Sequence, residues 1–469
     1  MSVDLKPYPQ YKDSGVPWLG DIPAHWNVKP GFSVLSEQKV KNIGMTEKTV
    51  LSLSYGRIIV KPPEKLHGLV PESFETYQIA DPGNIIIRSI DLQNDKTSLR
   101  VGLVKERGII TSAYLNLAVK GELTPDYGYL LLHTHDLLKI FYGMGSGLRQ
   151  NLDFSDFKRM PVLVPPKEEQ SKLSQYLDDA NRKINRFIRI KRSLIKLLNE
   201  QKQSIINQAV TRGLYSNIPS KQPSEKVSQE HIKTSMKRVC LSIRDGTHNP
   251  PPSEHGIHRL LSVRNIINGR FVARDDDRKM SVEAFLELQR SYTVETGDVV
   301  LALVGGTTGK SAVVEPIDNV TVQRSIGILR PNPCLLDSKF LNFVIKSDLV
   351  QSQIKLIMNK YAAQPGIYLT DVSTLQISAP EIDKQREIVF FIEKESQTID
   401  VAITRTQLEI ELIQEYRTRL ISDVVTGKVD VRDIEIPALP DEESVEDLED
   451  EELLDAAEAE LEAVEDADE

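Results

Sequence analysis

The sequence predicts an α+β protein in which a globular domain followed by a long helix occurs twice. Three observations predict this fold class. Residues 152–213 align without a gap with residues 367–428, at an offset of 215. Each aligned segment holds a strand-like run, then prolines, then apolar residues spaced three and four apart. The segments before them are rich in short β-like runs broken by Gly, Pro and Asp. Because this offset is far too long for the period of a solenoid, we infer a duplicated domain-plus-helix unit.

Length and composition limit the class of protein. The chain has 469 residues, which suggests two to four domains at roughly 100–200 residues each. It is 40% hydrophobic and 27% charged, as ordinary globular proteins are. Its two cysteines exclude a disulfide scaffold and a cysteine-rich zinc site. No apolar run approaches the roughly 18 residues of a membrane span, and the start does not resemble a signal peptide, so we expect a cytoplasmic protein.

The net charge of −10 is divided unevenly along the chain. Residues 441–469 hold 17 Asp and Glu and no Lys or Arg, so residues 1–440 carry 58 basic against 51 acidic residues, a net charge of +7. That excess indicates either ordinary variation or an anionic partner, nucleic acid being the usual one. The acidic tail is either a solvated end or a DNA mimic that competes for basic surfaces.

The elements follow the same order in both halves. Strand-like runs at Met160–Pro166 and Leu375–Pro380 end in prolines, and a long helix follows each. Each globular domain has one helical segment near its end, at Tyr127–Tyr142 and Ser338–Met358. The predicted domains are an N-terminal segment 1–30, a first globular domain 31–160, a first long helix within 161–213, a polar linker 214–236, a second globular domain 237–375, a second long helix within 376–432, and a disordered acidic tail 433–469.

Both long helices carry apolar residues at the same positions. Such a heptad pattern is typical of a coiled-coil seam, and residues 181–210 would form a rigid spacer of ~45 Å. Two separate amphipathic helices, each packed on its own domain, are the alternative. The predicted seam consists of Ile184, Ile188, Ile195, Leu198, Ile205, Ile399, Ile403, Ile410, Ile413 and Leu420.

Several short motifs occur together in this chain. Residues 16–26 read Val-Pro-Trp-Leu-Gly-Asp-Ile-Pro-Ala-His-Trp. Pro165-Pro-Lys-Glu-Glu-Gln170 and Pro380-Glu-Ile-Asp-Lys-Gln385 open the long helices. With Asp245-Gly-Thr-His248 and Gly306-Thr-Thr-Gly-Lys310, this combination resembles the specificity subunits of type I restriction–modification systems. The second half has no copy of the first motif, and the acidic tail is not part of the family pattern.

The resemblance implies a DNA-recognition subunit without catalysis of its own. Its globular domains would be target recognition domains that each read one half of a bipartite, asymmetric site in double-stranded DNA. The two helices would pack as an antiparallel coiled coil with pseudo-twofold symmetry, set the spacing of the half-sites and dock two modification (methyltransferase) subunits. The partners would use the cofactors, S-adenosylmethionine in the modification subunits and ATP with Mg²⁺ in two restriction subunits. This chain would bind no cofactor, no metal and no membrane.

Two other functions stay open beside this one. The first is an enzyme in its own right, such as a DNA adenine-N6 methyltransferase or an NTPase. However, Gly305–Ser311 departs from the phosphate-loop pattern at Val304, where a glycine is needed. Asn249-Pro-Pro-Pro252 lacks the aromatic residue that would stack on a flipped base. We interpret both segments as turns. The second is a coiled-coil scaffold without a DNA role.

The candidate contact residues form two sets. Base readers need directional donors and acceptors in loops or on strands. The candidates are Arg57, Arg88, Arg149, Gln150 and Asn151 in the first domain and Arg244, Thr247, His248, Asn249, Thr307, Lys310, Arg324 and Gln364 in the second. The first long helix carries a basic face for DNA phosphates or an acidic partner: Arg182, Lys183, Arg186, Arg189, Lys191, Arg192 and Lys196. His133 and His135 diverge on a helix, and we interpret them as surface residues.

Overall fold

The computed structural model describes residues 5–16, 19–62, 73–93, 99–144, 151–212, 232–253, 256–267, 269–360 and 366–436. They fall into two compact units, Met1–Ile190 with Glu409–Glu469, and Lys191–Leu408. Each unit holds one globular domain and a part of both long helices. The predicted mixture of helices and strands is confirmed. Within the described ranges, no helix combines the length and the apolar character needed to cross a membrane.

The elements of the first unit alternate short strands with a few helices. Its strands are β1 (Tyr11–Asp13), β2 (Asp21–Pro23), β3 (Asn27–Pro30), β4 (Leu35–Glu37), β5 (Leu51–Ser54), β6 (Arg57–Val60), β7 (Gln78–Ala80), β8 (Ile85–Ile87), β9 (Val101–Leu103), β10 (Gly108–Ile110), β11 (Leu115–Val119) and β12 (Pro161–Val164). Its helices are α1 (Gly31–Val34), α2 (Pro125–Leu137), α3 (Phe154–Lys158) and the beginning of α4 (Lys167–Arg212).

The central sheet of this unit is antiparallel, with the strand order β4-β11-β8-β9. Successive side chains of a strand point to opposite faces, so Ile85 and Ile87 enter the main core while Ile86 enters a second cluster. Helix α2 contributes Tyr127 and Leu131 to the main core. The described part of the sheet is therefore covered on both faces, so its strand ends and loops are the parts that can meet a ligand.

The N-terminal motif builds a buried polar cluster around Glu169 of α4, which is 6% exposed. One carboxylate oxygen accepts hydrogen bonds from the Tyr8 hydroxyl (2.6 Å) and the Trp26 indole N–H (3.0 Å). The other oxygen lies 2.7 Å from Nε2 of His25. Burial and the neighbouring carboxylate raise the pKa of Tyr8 well above its usual range. The motif thus has a structural role, which the sequence did not reveal.

Gly427, just after the second long helix, explains why that helix ends in Thr-Gly-Lys. The backbone there has φ = +77°, a conformation that favours glycine. A Cβ atom at this position would lie 2.4 Å from Cδ of Pro23, next to Trp26. The N-terminal motif and the C-terminal end of the second helix therefore pack together within the first unit.

The second unit has the same plan with more strands. Its strands are β13 (Ile232–Ser235), β14 (Cys240–Asp245), β15 (His258–Leu261), β16 (Ile266–Ile267), β17 (Arg270–Phe271), β18 (Arg278–Met280), β19 (Val299–Ala302), β20 (Ser311–Val313), β21 (Val320–Val322), β22 (Ile326–Pro331) and β23 (Gln376–Ala379). Its helices are α5 (Met236–Val239), α6 (Val282–Gln289), α7 (Ser338–Lys346), α8 (Asp348–Met358), α9 (Leu369–Thr374) and α10 (Ile382–Val425), of which the last turns belong to the first unit.

The main sheet of this unit has the order β14-β22-β19-β20-β17-β16, and β18, β15 and β21 form a smaller one. Strand β19 is buried on both faces, as β8 is in the first unit. Val299 and Leu301 enter one core cluster and Val300 and Ala302 another. The strands that lead into the long helices also correspond, because β12 pairs with β3 and β23 pairs with β13, both antiparallel.

Two helical predictions need correction. The segment Tyr127–Tyr142 is not one helix, because α2 ends at Leu137 and a 3-10 turn follows from Ile140. Lys139 between them has φ = +58°, which ends the α-helical path. The segment Ser338–Met358 is also broken. Ser347 has an extended backbone, and its hydroxyl donates to the carbonyl of Val344, so α8 starts anew after it.

The predicted seam residues are buried or half-buried without exception. Ile184, Ile188, Ile399, Ile410 and Leu420 are buried, and the other five are half-buried. Apolar residues outside the seam, such as Leu197 and Leu412, are more than half exposed. In the first unit Arg417 donates to Oδ1 of Asn185, and in the second Lys202 pairs with Asp400 at 2.6 Å. Each unit therefore contains a direct contact between the two long helices.

Candidate nucleic-acid interface

In the second unit, four strand ends lie at one edge of the main sheet. Asp245 at the end of β14 pairs with Gly327, and Ala302 at the end of β19 pairs with Ile326 at the start of β22. Ser311 at the start of β20 pairs with Leu301. The loops 246–253, 303–310 and 323–325 consequently leave the sheet on the same side. We call them the second loop cluster.

The second loop cluster contains most of the candidate base readers of its domain. His248, Asn249, Lys310 and Arg324 are exposed, while Thr247 and Thr307 are half-buried. Exposed donors and acceptors on a rigid sheet edge can reach the edges of bases. Arg244 lies on β14 itself and donates to the carbonyl of Ser291, so a structural contact already holds it. Gln364 lies outside the described residues.

Tyr292 anchors this cluster, and sequence reasoning missed it. Its hydroxyl donates to the carbonyl of Val322 (2.7 Å) and accepts from the Thr321 hydroxyl (2.8 Å) and the backbone N–H of Thr247 (3.1 Å). Burial raises the pKa of Tyr292 above its usual range, so the group stays a donor. Gly246 allows the close approach, because a Cβ there would lie 2.0 Å from the Val322 carbonyl oxygen. In the same segment, Nε2 of His248 lies 2.8 Å from Oδ2 of Asp245.

The glycine-rich segment is a β-hairpin loop, and the prediction of a turn is confirmed. It connects the antiparallel strands β19 and β20, whereas a phosphate loop connects a strand to a helix. Gly309 has φ = +89°, and its carbonyl accepts a hydrogen bond from Nε2 of Gln351 on α8. Asn249–Pro252 lies in an irregular segment after β14, with a bend at Asn249. In it, the Asn249 N–H donates to the Thr247 hydroxyl.

The first unit has loops at the corresponding edge of its sheet. Ile87 at the end of β8 pairs with Leu115 at the start of β11 and with Val101 at the start of β9. Arg88 follows directly and is half-buried. Asn151 is exposed, and its Oδ1 accepts a hydrogen bond from the N–H of Asp91, which lies in the same loop as Arg88. We call the described residues 88–93, 99–100, 111–114 and 151 the first loop cluster.

Not every first-domain candidate joins this cluster. Arg57 lies on the separate β5–β6 hairpin, where the Tyr129 hydroxyl of α2 donates to the carbonyl of Gly56. Arg149 and Gln150 lie outside the described residues. The structure therefore brings Arg88 and Asn151 together and places Arg57 on a different strand pair.

Arg100 holds the first loop cluster, again without a signal in the sequence. It is fully buried, and its guanidinium donates to the carbonyls of Arg88, Ile90 and Asp91 at 2.8–3.2 Å. Its Nε donates to the hydroxyl of Tyr142 at 3.3 Å. A buried guanidinium with several backbone partners fixes the loop that carries Arg88.

The two clusters occupy corresponding positions of the repeat. The N–H of Leu152 donates to the carbonyl of Ser89, and the N–H of Ile367 donates to the carbonyl of Leu303. The two donors are separated by the offset of the sequence repeat. The structural repeat thus extends beyond the segment that the sequence alignment detects, into domains whose sequences differ.

The prediction for the two histidines is wrong in one respect. His133 and His135 are 9% and 1% exposed and therefore not surface residues. Burial lowers the pKa of both to about 4. The described residues contain no group of three His, Cys, Asp or Glu side chains that could hold a metal ion.

The basic face of α4 is largely exposed, and some of its charged side chains have an acidic partner. Arg186, Arg189, Arg192 and Lys196 are exposed, while Lys191 is half-buried. Asp179 pairs with Lys183 at 2.7 Å and lies 4.0 Å from Arg182.

Comparisons with known proteins agree with these observations. Residues 264–412 match the family model described as "Type I restriction modification DNA specificity domain". A solved structure titled "Structural basis underlying complex assembly and conformational transition of the type I R-M system" covers 87% of this chain and 99% of its own, with 12% identity and a TM-score of 0.62. At that identity it shows a shared fold.

Two further solved structures match with lower scores. The HsdS subunit from Thermoanaerobacter tengcongensis has 14% identity, a TM-score of 0.44, and coverage of 87% of this chain and 98% of its own. The type I restriction–modification S subunit from M. genitalium has 14% identity, a TM-score of 0.35, and coverage of 88% and 97%. No match was found among curated protein sequences.

Proposed function

We propose that the chain is a DNA specificity subunit of a type I restriction–modification system, and that its two loop clusters each read one half of a bipartite DNA site. The match of residues 264–412 to the family model and the shared fold support this proposal. The observation that carries the proposal is the corresponding position of the two clusters. Each lies at the same edge of a doubly covered sheet and presents polar groups, among them Asn151 and His248. Because the loop sequences differ, the two half-sites would differ, and the site would be asymmetric.

The long helices would set the distance between the half-sites as an antiparallel coiled coil. Within the first unit, Asn185 of α4 contacts Arg417 of α10, and within the second, Lys202 contacts Asp400. The burial of the seam residues supports this packing over two separate amphipathic helices. An α-helix lengthens by a fixed rise with each residue, so the number of residues in a continuous helix pair would fix the distance between the two recognition domains.

The exposed basic residues of α4 would contact DNA phosphates. Phosphate contacts supply affinity and register but carry no sequence information directly. The assignment includes Arg186, Arg189, Arg192 and Lys196, whose side chains are exposed.

Exposed apolar side chains on the long helices would dock the modification subunits. Leu412 and Tyr416 are about half exposed or more in the first unit, and Phe390, Val401 and Leu408 are so in the second. Contiguous exposed apolar residues commonly mark protein interfaces. Two modification subunits and two restriction subunits would complete the complex. The partners would use S-adenosylmethionine, ATP and Mg²⁺, and this chain would hold no cofactor and catalyse no step.

Methylation mapping tests the proposal directly. The chain is expressed alone, and together with a modification subunit of its system, in a host that lacks adenine methylation. Long-read sequencing then locates N6-methyladenine. Methylation at one bipartite motif, only when both proteins are present, is the expected result. Methylation by this chain alone would overturn the proposal and make Asn249–Pro252 an active-site candidate. Absence of methylation at any motif when both proteins are present would favour a scaffold without a DNA role.

A further inference from the structure

Two buried glutamines occupy the same place in both halves of the molecule. Gln170 and Gln385 are the last residues of the motifs that open the long helices, and both are 0% exposed. Their separation along the chain equals the offset of the sequence repeat. A fully buried amide has to satisfy its hydrogen-bonding groups inside the protein, so its partners are informative.

In the first unit, the amide of Gln170 joins two parts of the chain. Its Nε2 donates to the carbonyls of Pro165 and Glu122, both at 2.8 Å. Its Oε1 accepts from the N–H and the hydroxyl of Thr124, at 2.8 and 3.0 Å. Pro165 follows β12 at the entry to α4, and Thr124 is the N-cap residue of α2. The glutamine thus ties the long helix to the helix that covers the recognition sheet.

The second unit repeats this arrangement with different neighbours. Nε2 of Gln385 donates to the carbonyls of Pro380 and Leu335, both at 2.8 Å. Its Oε1 accepts from the N–H of Asp337 at 2.9 Å. Asp337 is the N-cap residue of α7, which covers the second sheet. The same kinds of backbone group are bound in both halves, although the surrounding residues differ.

We propose that Gln170 and Gln385 are positioning residues that fix the angle of each recognition domain on its long helix, and so determine how strictly the protein selects one half-site spacing. Apolar contacts tolerate sliding, whereas hydrogen bonds are directional and hold one geometry. Adjacent base pairs are about 3.4 Å apart along the duplex, so a pivot at this junction would move a loop cluster towards the wrong base. The inference rests on the proposed bipartite recognition.

The test uses the full chain with its modification subunit and measures binding to three duplexes. These carry the motif found by methylation mapping with its natural spacer, or with one base pair fewer or more. The variants are Gln170→Met and Gln385→Met, which keep the side-chain length but remove the hydrogen bonds. Gln208→Met on the exposed side of α4 is the matched control. The readout is the ratio of affinities between spacers, which does not depend on the fraction of folded protein.

We expect the wild type and Gln208→Met to prefer the natural spacer at least tenfold, and each amide variant to prefer it threefold or less. Thr124→Ala removes only one of the four hydrogen bonds of Gln170, so it keeps the test available if the methionine variants do not fold. Thr124→Ala should lower the preference for the natural spacer about twofold. Unchanged ratios, or an equal loss of affinity on all spacers, would overturn the inference. Absence of any bipartite motif in the wild type would instead refute the proposed function.

Discussion

The two halves of the molecule share a framework but differ at one position next to the shared glutamine. Glu169 of the first half corresponds to Lys384 of the second. Glu169 is buried and binds Tyr8, His25 and Trp26, whereas Lys384 is half-buried and pairs with Glu387 at 2.7 Å. Duplication therefore accounts for the recognition framework. The motif before β3 belongs to one half only, and Glu169 is the residue that binds it.

The largest expected effect separates these two positions. Glu169→Ala leaves the Tyr8 hydroxyl and the Trp26 N–H without their partner, and each buried donor left unsatisfied costs about 1–3 kcal/mol. Lys384→Ala removes a solvent-accessible i,i+3 pair, and it should change stability by no more than ~0.5 kcal/mol. Both tryptophans precede residue 27, so their fluorescence reports unfolding of the first unit. Equal shifts of the thermal midpoint in the two variants would contradict this asymmetry.

A second difference between the halves predicts acid sensitivity of the first unit. Helix α2 contains His133 and His135, whose pKa burial lowers to about 4, while α7 contains no histidine. The unfolded chain binds protons near pH 6.5 and the folded unit does not. Their contribution to stability is therefore complete above that pH and declines as the pH falls from 6.5 to 4. At pH 5 the loss should be about 2 kcal/mol per histidine.

Denaturant titrations at pH 7 and pH 5, followed by tryptophan fluorescence, measure this loss. The double variant His133→Gln, His135→Gln has no titrating group at these positions, so its difference between the two pH values should be smaller by most of that amount. A wild-type midpoint that stays constant between pH 7 and pH 5 would show that the histidines are not held neutral in the folded unit.

Much of the framework could be predicted because it depends on local patterns. The heptads predict the long helices and their seam, and prolines mark the ends of β12 and β23. The turn at Gly305–Ser311 was also predicted, from the misfit of this segment to the phosphate-loop pattern. These features depend on residues close together in the sequence, or on a repeat that shows itself by alignment.

The anchors of the site could not be predicted, because they depend on contacts between distant segments. Glu169 meets Tyr8 across 161 residues, and Tyr292 reaches Val322 across 30. Nothing near Arg100 in the sequence indicates that it is fully buried. The prediction that the histidines of α2 are surface residues was wrong for the same reason. A polar residue on a helix is predicted to be exposed unless the neighbouring elements are known, and here the ring of Phe141 packs against His135.

A smaller effect should distinguish the two loop clusters from each other. Tyr292 accepts the Thr247 N–H in the second cluster, and Tyr142 accepts Nε of Arg100 in the first. Tyr292→Phe should relax recognition of one half-site and Tyr142→Phe that of the other. Tyr142→Phe loses the hydrogen bond from Arg100, a net contribution of roughly 0.5–1.5 kcal/mol, or three- to tenfold in discrimination. Tyr292→Phe loses three hydrogen bonds and should relax its half-site at least as much. Binding to duplexes mutated in one half-site measures this, and relaxation of the same half-site by both variants would refute the assignment.

The smallest expected effect concerns residues 441–469 of the acidic tail, which lie outside the described residues and outside the repeat. Their removal converts a chain of net charge −10 into one of +7. If the tail competes with DNA for basic surfaces, deleting residues 441–469 should raise non-specific affinity on the order of threefold at low salt. The gain should vanish near 0.5 M salt, where screening acts within a few ångströms. A tail of equal length with its 17 acids replaced by Gln and Asn should behave like the deletion. Wild-type affinity in both variants would leave the tail as a solvated end.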